Sequence, residues 1–431
     1  MGRTISVLAL ALLLAMSAGA SGSDRKVAFR NDFRLADDTA APIAASFFSL
    51  TSEFVKPEEA KAFLCAVRAA SPKRDIVVLA DAGIRKALPP DPAMYVIDTG
   101  RRRFTPWLRD PFLLGRVADG SVMFIDRPNV QPKREADAHF VRTIMAELPA
   151  SLDRKWKRAR WTVAPMPFHN GHVLLMPDTA WISEHSVEIR ALEILDLDRV
   201  PVETFRTAAG IKRYIDAVRT AAGELEALYR RPVRFVHALP SSEPLEQQIA
   251  LMQILGGGAG FDLDSVVTLL PRRDGSLHAL VGDFRLGSRM IREASVDKLD
   301  SLRRTYGLTA PAATLGKRIA DAHDVPRTIG LQLFLDHVAA HLGGGRLPLL
   351  NIPFSLIEDR SGLSGSSFLL TWNNVVVDGD GAEGFASLFG PADAYAREVF
   401  AAAGYRLELF PPLIRSILLN GGYRCASNHL R

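Results

Sequence analysis

Nine short apolar runs alternate with helical stretches along this 431-residue chain, and that alternation constrains its fold more than any motif does. The runs cover residues 46–50, 75–79, 94–98, 122–125, 173–176, 265–270, 279–282, 349–352 and 368–377. Apolar residues recur three and four apart over 57–70, 134–148, 202–229, 245–255, 296–306, 328–342 and 392–403, the period of an amphipathic helix. Strands alternating with helices predict an α/β architecture. The runs are too continuously apolar for a sheet with one wet face, so helices are expected to cover them. A second regularity is superimposed. In five places an apolar strand adjoins a polar or glycine element: Trp107-Leu108-Arg109-Asp110, Phe168-His169-Asn170-Gly171-His172, Phe261-Asp262-Leu263-Asp264, Thr371-Trp372-Asn373-Asn374 and Gly421-Gly422-Tyr423-Arg424-Cys425. A closed set of similar units would bring these elements together at one end of the core. No low-complexity linker separates them, so 44–431 reads as one domain, preceded by a polar segment over 23–43.

Residues 1–22 have the character of a leader. Arg3 precedes the apolar run 5–16, and small residues end in Ala18-Gly19-Ala20, the signature of a secretory signal peptide. The run falls short of the ~20 residues a membrane span needs. A secreted or periplasmic protein is the expectation, with no further transmembrane stretch. Net charge is +5, or +4 without Arg3, and 48% hydrophobic with 23% charged residues is ordinary globular composition. The basic run Arg154-Lys155-Trp156-Lys157-Arg158-Ala159-Arg160 is read as solvated surface, with no nucleic-acid partner.

Two cysteines remain, Cys65 and Cys425. Exported proteins often pair their cysteines, but a domain with its own core needs no staple, so two free thiols are expected. Cys65 lies in the helical pattern 57–70 and reads as a core-facing residue. Cys425 follows a Gly-Gly pair a few residues from the end. Glycines permit positive φ and close approach of a ligand, and a thiol presented there can act as a nucleophile. Asp262 and Asp264 straddle one residue and would share a strand face, a costly pairing unless a cation or a proton lies between them.

The order and character of the five elements resemble the pentein fold of guanidino-group-modifying enzymes. These include arginine, agmatine and protein-arginine deiminases, dimethylargininases and amidinotransferases. Trp107-Leu108-Arg109-Asp110-Pro111 is similar to the family's Trp/Phe-x-Arg-Asp-Pro segment, and Phe168-His169-Asn170-Gly171-His172-Val173-Leu174 to its Phe-Glu-Gly-Gly-Asn-Val-Leu segment. Asp262-Leu263-Asp264 aligns with its His-x-Asp strand, and Gly421-Gly422-Tyr423-Arg424-Cys425-Ala426-Ser427-Asn428 with its nucleophile motif. The resemblance implies a five-fold pseudosymmetric α/β propeller of ββαβ-like modules. It also implies a cysteine-dependent hydrolase of deiminase type acting on arginine, agmatine or peptidyl-arginine. Cys425 would be the nucleophile, Asp110 and Asp264 would hold the guanidinium, and Trp107 and Arg109 would lie at the substrate.

Two seats depart from the pattern: Asp262 stands where the family has histidine, and His169 where it has an acid. Read as an exchange, His169 would do the acid–base work and Asp262 would supply the displaced carboxylate. No organic cofactor or metal is implied, although some relatives need calcium and these residues do not bear on it. The other reading is a catalytically inactive pentein that binds an arginine-like cation or a protein partner. His172 reads as structural. His337 and His341 share a helical face at zinc-pair spacing but lack a metalloprotease glutamate. The glycine loops 256–260 and 343–345 lack the Lys-Ser/Thr of a phosphate loop.

Overall fold

The structure, a computed structural model, describes residues 26–29, 32–39, 42–128, 134–151, 156, 158–197, 201–236, 262–272, 274–323, 349–358, 367–419 and 421–431, with single positions between 332 and 342. Among the described residues the strands fall into five sheets of three or four strands, all mixing parallel and antiparallel pairs. One pattern recurs: two strands pair antiparallel, then the second pairs parallel with a third that follows at least one helix. β1 (Phe33–Leu35) flanks the set β5 (Phe112–Val117), β6 (Val122–Asp126) and β7 (Arg160–Val163). The next set is β8 (Val173–Leu175), β9 (Ala180–Ser183) and β10 (Val233–Val236). Then come β11 (Val267–Pro271), β12 (Leu277–Asp283) and β13 (Leu349–Glu358), with β14 (Ser367–Thr371) added antiparallel. β15 (Val376–Asp378), β16 (Gly381–Phe385) and β17 (Arg406–Phe410) repeat it. The last set joins the two ends of the described chain. β18 (Ser427–Leu430) pairs antiparallel with β2 (Ala45–Leu50), which runs parallel to β3 (Asp75–Ala80) and, beyond it, β4 (Met94–Asp98).

The continuous apolar runs are explained by burial on both faces. Phe48 and Leu50 pack with Ile76 and Val78 in one cluster, whereas Ala45 and Phe47 pack with Val77 and Leu79 in another. The helix Pro57–Ala70 begins with proline at its first turn, followed by Glu58 and Glu59 where the helix dipole favours acids. It buries Ala60, Phe63, Leu64 and Val67. Burying a ring such as Phe63 contributes roughly 1.5–3 kcal/mol.

Cys65, expected to face this core, is exposed, because it lies about 150° around the helix from the middle of that stripe. Neither cysteine forms a disulfide. The helical pattern 202–229 divides at Thr207, whose Oγ1 accepts a hydrogen bond from the Gly210 amide at 3.0 Å and caps the helix Ala208–Tyr229. The run 368–377 is likewise two strands, β14 and β15, parted by the polar turn at Trp372–Asn374. Of the basic run at 154–160, Trp156 is buried in the core and Arg160 pairs with Asp119. The leader, the pattern 245–255, His337, His341 and both glycine loops lie outside the described residues. No helix among the described residues is long and apolar enough to cross a membrane.

Candidate active site

Cys425 lies in the turn leading into β18, whose register against β2 sets Ser427 opposite Phe48. Gly421 and Gly422 precede it for a steric reason different from the one expected. Neither has positive φ. A Cβ on Gly421 would overlap the Trp107 indole, and one on Gly422 would lie 2.5 Å from the Asn374 side chain. The glycines thus admit the protein's own side chains against the turn.

Asn374 organises the thiol. Its Nδ2 donates to Cys425 Sγ at 3.0 Å and to Asp264 Oδ1 at 3.1 Å, while its Oδ1 accepts from the Cys425 amide at 3.0 Å. Asp264 is fully buried and lies 3.9 Å from the sulfur. Asp262, Asp264 and Cys425 offer atoms that all lie within 4.8 Å of one another. The two aspartates do not reach this cluster from a strand face. Asp262 caps the short helical turn Leu263–Val266, which holds Asp264, and extended backbone begins only at Val267. The sequence shows two acids parted by one residue but not that they sit at the start of a helical turn.

His169 precedes the 3-10 turn Asn170–His172, and His172 ends it. Three residues per turn bring side chains at i and i+3 into line, and the two imidazoles stack at 4.2 Å with 17° between their planes. His172 Nε2 is 3.0 Å from Asp262 Oδ1, and His169 Nδ1 is 3.7 Å from the same oxygen and 3.8 Å from Asp110 Oδ1. Asp110, His169, Asp262, Asp264 and Cys425 therefore form a contiguous chain of groups. His172, read from sequence as structural, is part of it.

Internal cations sit on these acids. Arg134 Nη1 meets Asp110 Oδ2 at 3.0 Å, and its guanidinium stacks 4.9 Å from the Trp107 ring centre. Arg424 donates to Asp264 Oδ2 and, through Nη2, to Asp38 Oδ2 at 2.8 Å. Arg109 Nη2 donates to Asp38 Oδ1 at 2.6 Å, so the arginine expected at the substrate is engaged by Asp38.

Burial, with the charges of Asp264, Asp262 and Asp110, pushes the Cys425 thiol well above its ordinary range. Burial also raises Asp264 to about 7, against the pull of Arg424. Asp262 goes the other way: although burial opposes it, the hydrogen bond from His172 and the charge of His169 hold its carboxyl down to about 2. The resting site therefore favours a protonated thiol beside an ionised Asp262. A cation arriving among these groups would reverse the bias against the thiolate.

Asn374, Arg424, Asp38 and Arg134 were not singled out as site residues from sequence. Asn374 and Arg424 lie in two of the five polar elements, and nothing local marks Asp38 or Arg134.

No protein-family model matches the chain, and no curated protein matches it in sequence. Solved structures do. Solved deiminase structures share the fold of this chain. Agmatine deiminase from C. jejuni matches over 92% of this chain and 95% of its own, with a TM-score of 0.54 at 9% identity. Agmatine deiminase from Enterococcus faecalis matches over 93% and 96%, with a TM-score of 0.53 at 11% identity. At such identities the likeness is one of fold.

Proposed function

We propose that this chain is an exported, cysteine-dependent hydrolase of deiminase type acting on a guanidinium substrate, built as a five-fold pseudosymmetric propeller. The propeller reading is supported by the five recurring strand sets and by β18 closing onto β2. One observation carries the chemical reading: a buried thiol shares one cluster with Asp262 and Asp264, continuous through His169 with Asp110. A planar guanidinium with several donors suits such carboxylates.

In this scheme the bound cation offsets the negative field that holds the Cys425 proton. His169 takes the thiol proton, the thiolate attacks the central carbon, the C–N bond breaks, and ammonia or an amine leaves with that proton. Water, deprotonated by the same imidazole, then attacks the thiouronium carbon, releases the thiolate and leaves a ureido product. Free arginine, agmatine and peptidyl-arginine remain the candidate substrates.

A second reading is a non-catalytic pentein that binds a cation or a protein partner. It is favoured by the internal cations already on Asp110 and Asp264 and by the thiol's raised pKa. The discriminating experiment assays ureido product from arginine, agmatine and an arginine-containing peptide, with and without calcium, beside Cys425→Ala. Product that depends on Cys425, from a variant of near-parental stability, supports the hydrolase. Absence of product from a folded parent moves the reading to the binding module.

A further inference from the structure

The deiminase reading uses His169 and Asp262 singly but not their grouping with His172. Two imidazoles and one carboxylate offer atoms that lie within 4.8 Å of one another. A tetrahedral ion with bonds of about 2.0–2.2 Å needs ligand atoms about 3.3–3.5 Å apart. The observed separations from Asp262 Oδ1, 3.0 Å to His172 Nε2 and 3.7 Å to His169 Nδ1, bracket that edge.

Three further observations bear on it. Among the described residues His169 Nδ1 is buried yet has no hydrogen-bond partner, so a buried lone pair or proton faces the carboxylates unused. The other nitrogen of His172, Nδ1, lies 3.1 Å from Ser186 Oγ, the kind of outer contact that fixes the orientation of a ligating imidazole. Gly171 between the two histidines leaves room for the acid: a Cβ there would fall 2.6 Å from Asp262 Cγ. The stacked rings have to tilt apart to share one ion. For His169 that rotation breaks no hydrogen bond at Nδ1.

We propose that His169, His172 and Asp262 form a binding site for a divalent transition metal of the zinc type, with the fourth position open. Two neutral imidazoles and a carboxylate suit zinc better than calcium or magnesium, which take oxygen ligands. Asp110 Oδ1, 3.8 Å from His169 Nδ1, is the next oxygen outward. A metal here and a guanidinium cation compete for Asp262, so the metal excludes the substrate of the proposed reaction. The site itself is independent of whether that reaction occurs.

The test titrates the metal-free chain with Co2+ and reads visible d–d absorption, then adds Zn2+. The expected result is one equivalent of Co2+ with the strong bands of a four-coordinate ion, displaced by Zn2+. His169→Gln and Asp262→Asn should each weaken binding at least tenfold, while Cys425→Ser leaves the bands in place. Absence of bands overturns the proposal. So do bands that survive both His169→Gln and Asp262→Asn, which would put the ion elsewhere. Loss of the bands in Cys425→Ser overturns the ligand set, assigning the ion to the Asp262–Asp264–Cys425 cluster.

Discussion

Gly422→Ala tests the packing that presents the thiol. The new Cβ would lie 2.5 Å from both Cβ and Oδ1 of Asn374. Carbon atoms pack at about 3.5–4.0 Å, so the two residues must part by about 1 Å. Because the crowded atom is Asn374 Cβ, fixed to its own backbone, a side-chain rotation does not relieve the overlap. A 1 Å shift would stretch the 3.0 Å contacts from Asn374 Nδ2 to the sulfur and from the Cys425 amide to Asn374 Oδ1 beyond useful hydrogen-bond length. Overpacking costs about 1–3 kcal/mol, and a catalytic group displaced by about 1 Å costs on the order of a hundredfold in rate. Thermal or urea denaturation reads the first effect. The rate of Cys425 alkylation, with ureido formation where turnover is present, reads the second. Gly223→Ala is the control: it lies in the helix Ala208–Tyr229 with nothing within 4 Å of its added Cβ, and should be neutral or stabilising. If Gly422→Ala matches the parent in stability and in thiol reactivity, the steric argument for the glycine pair is wrong.

Other perturbations have equally definite outcomes. Arg424→Lys leaves the buried acids Asp264 and Asp38 sharing a point charge instead of a two-armed guanidinium. It should destabilise by about 3–5 kcal/mol, the range for a broken buried pair, and a urea midpoint close to the parent's would contradict that. Glu383 holds Arg74 through two 2.7 Å contacts and accepts from the Tyr423 hydroxyl at 2.8 Å. Glu383→Ala should cost a similar amount, and in a double-mutant cycle with Arg74→Met the two losses should fall short of additive by about 0.5–3 kcal/mol; strict additivity would refute the coupling. Asp126 is raised from 3.8 to about 7 by burial, against the charge of Arg142. Its protonated form is thus favoured by folding, a contribution present below pH 3.8 and lost as pH rises through 7. Asp126→Asn should therefore be more stable than the parent at pH 8 and lose that advantage toward pH 4, as denaturation midpoints at the two pH values would reveal.

The order of strands and helices is legible in the residues wherever burial left a continuous signal. The runs at 46–50 and 75–79 are legible because β2 and β3 are covered on both faces, which excludes polar residues from either. The helix Pro57–Ala70 is legible because its stripe, first turn and proline agree. Strands such as β16, with two glycines in five residues, carry no such signal, and β16 is defined by its pairing between β15 and β17. The residue types of the candidate site were legible too: Cys425, His169, Asp262, Asp110 and Asp264 come together as five elements of one cluster.

What each of them touches is set by folding. Asn374 meets Cys425 across 51 residues, Arg424 meets Asp264 across 160, and Asp38 meets Arg424 across 386. No local spacing encodes those separations. They follow from five sheets being brought together and from β18 closing on β2, which sets turns from distant parts of the chain against one another. The same closure converts acids that the sequence leaves as bare negative charge into three different states: one raised by burial, one held low by histidine, and one paired with arginine. Residue identity sets the chemistry that is available here. Burial and the partner that folding supplies decide which of it is expressed.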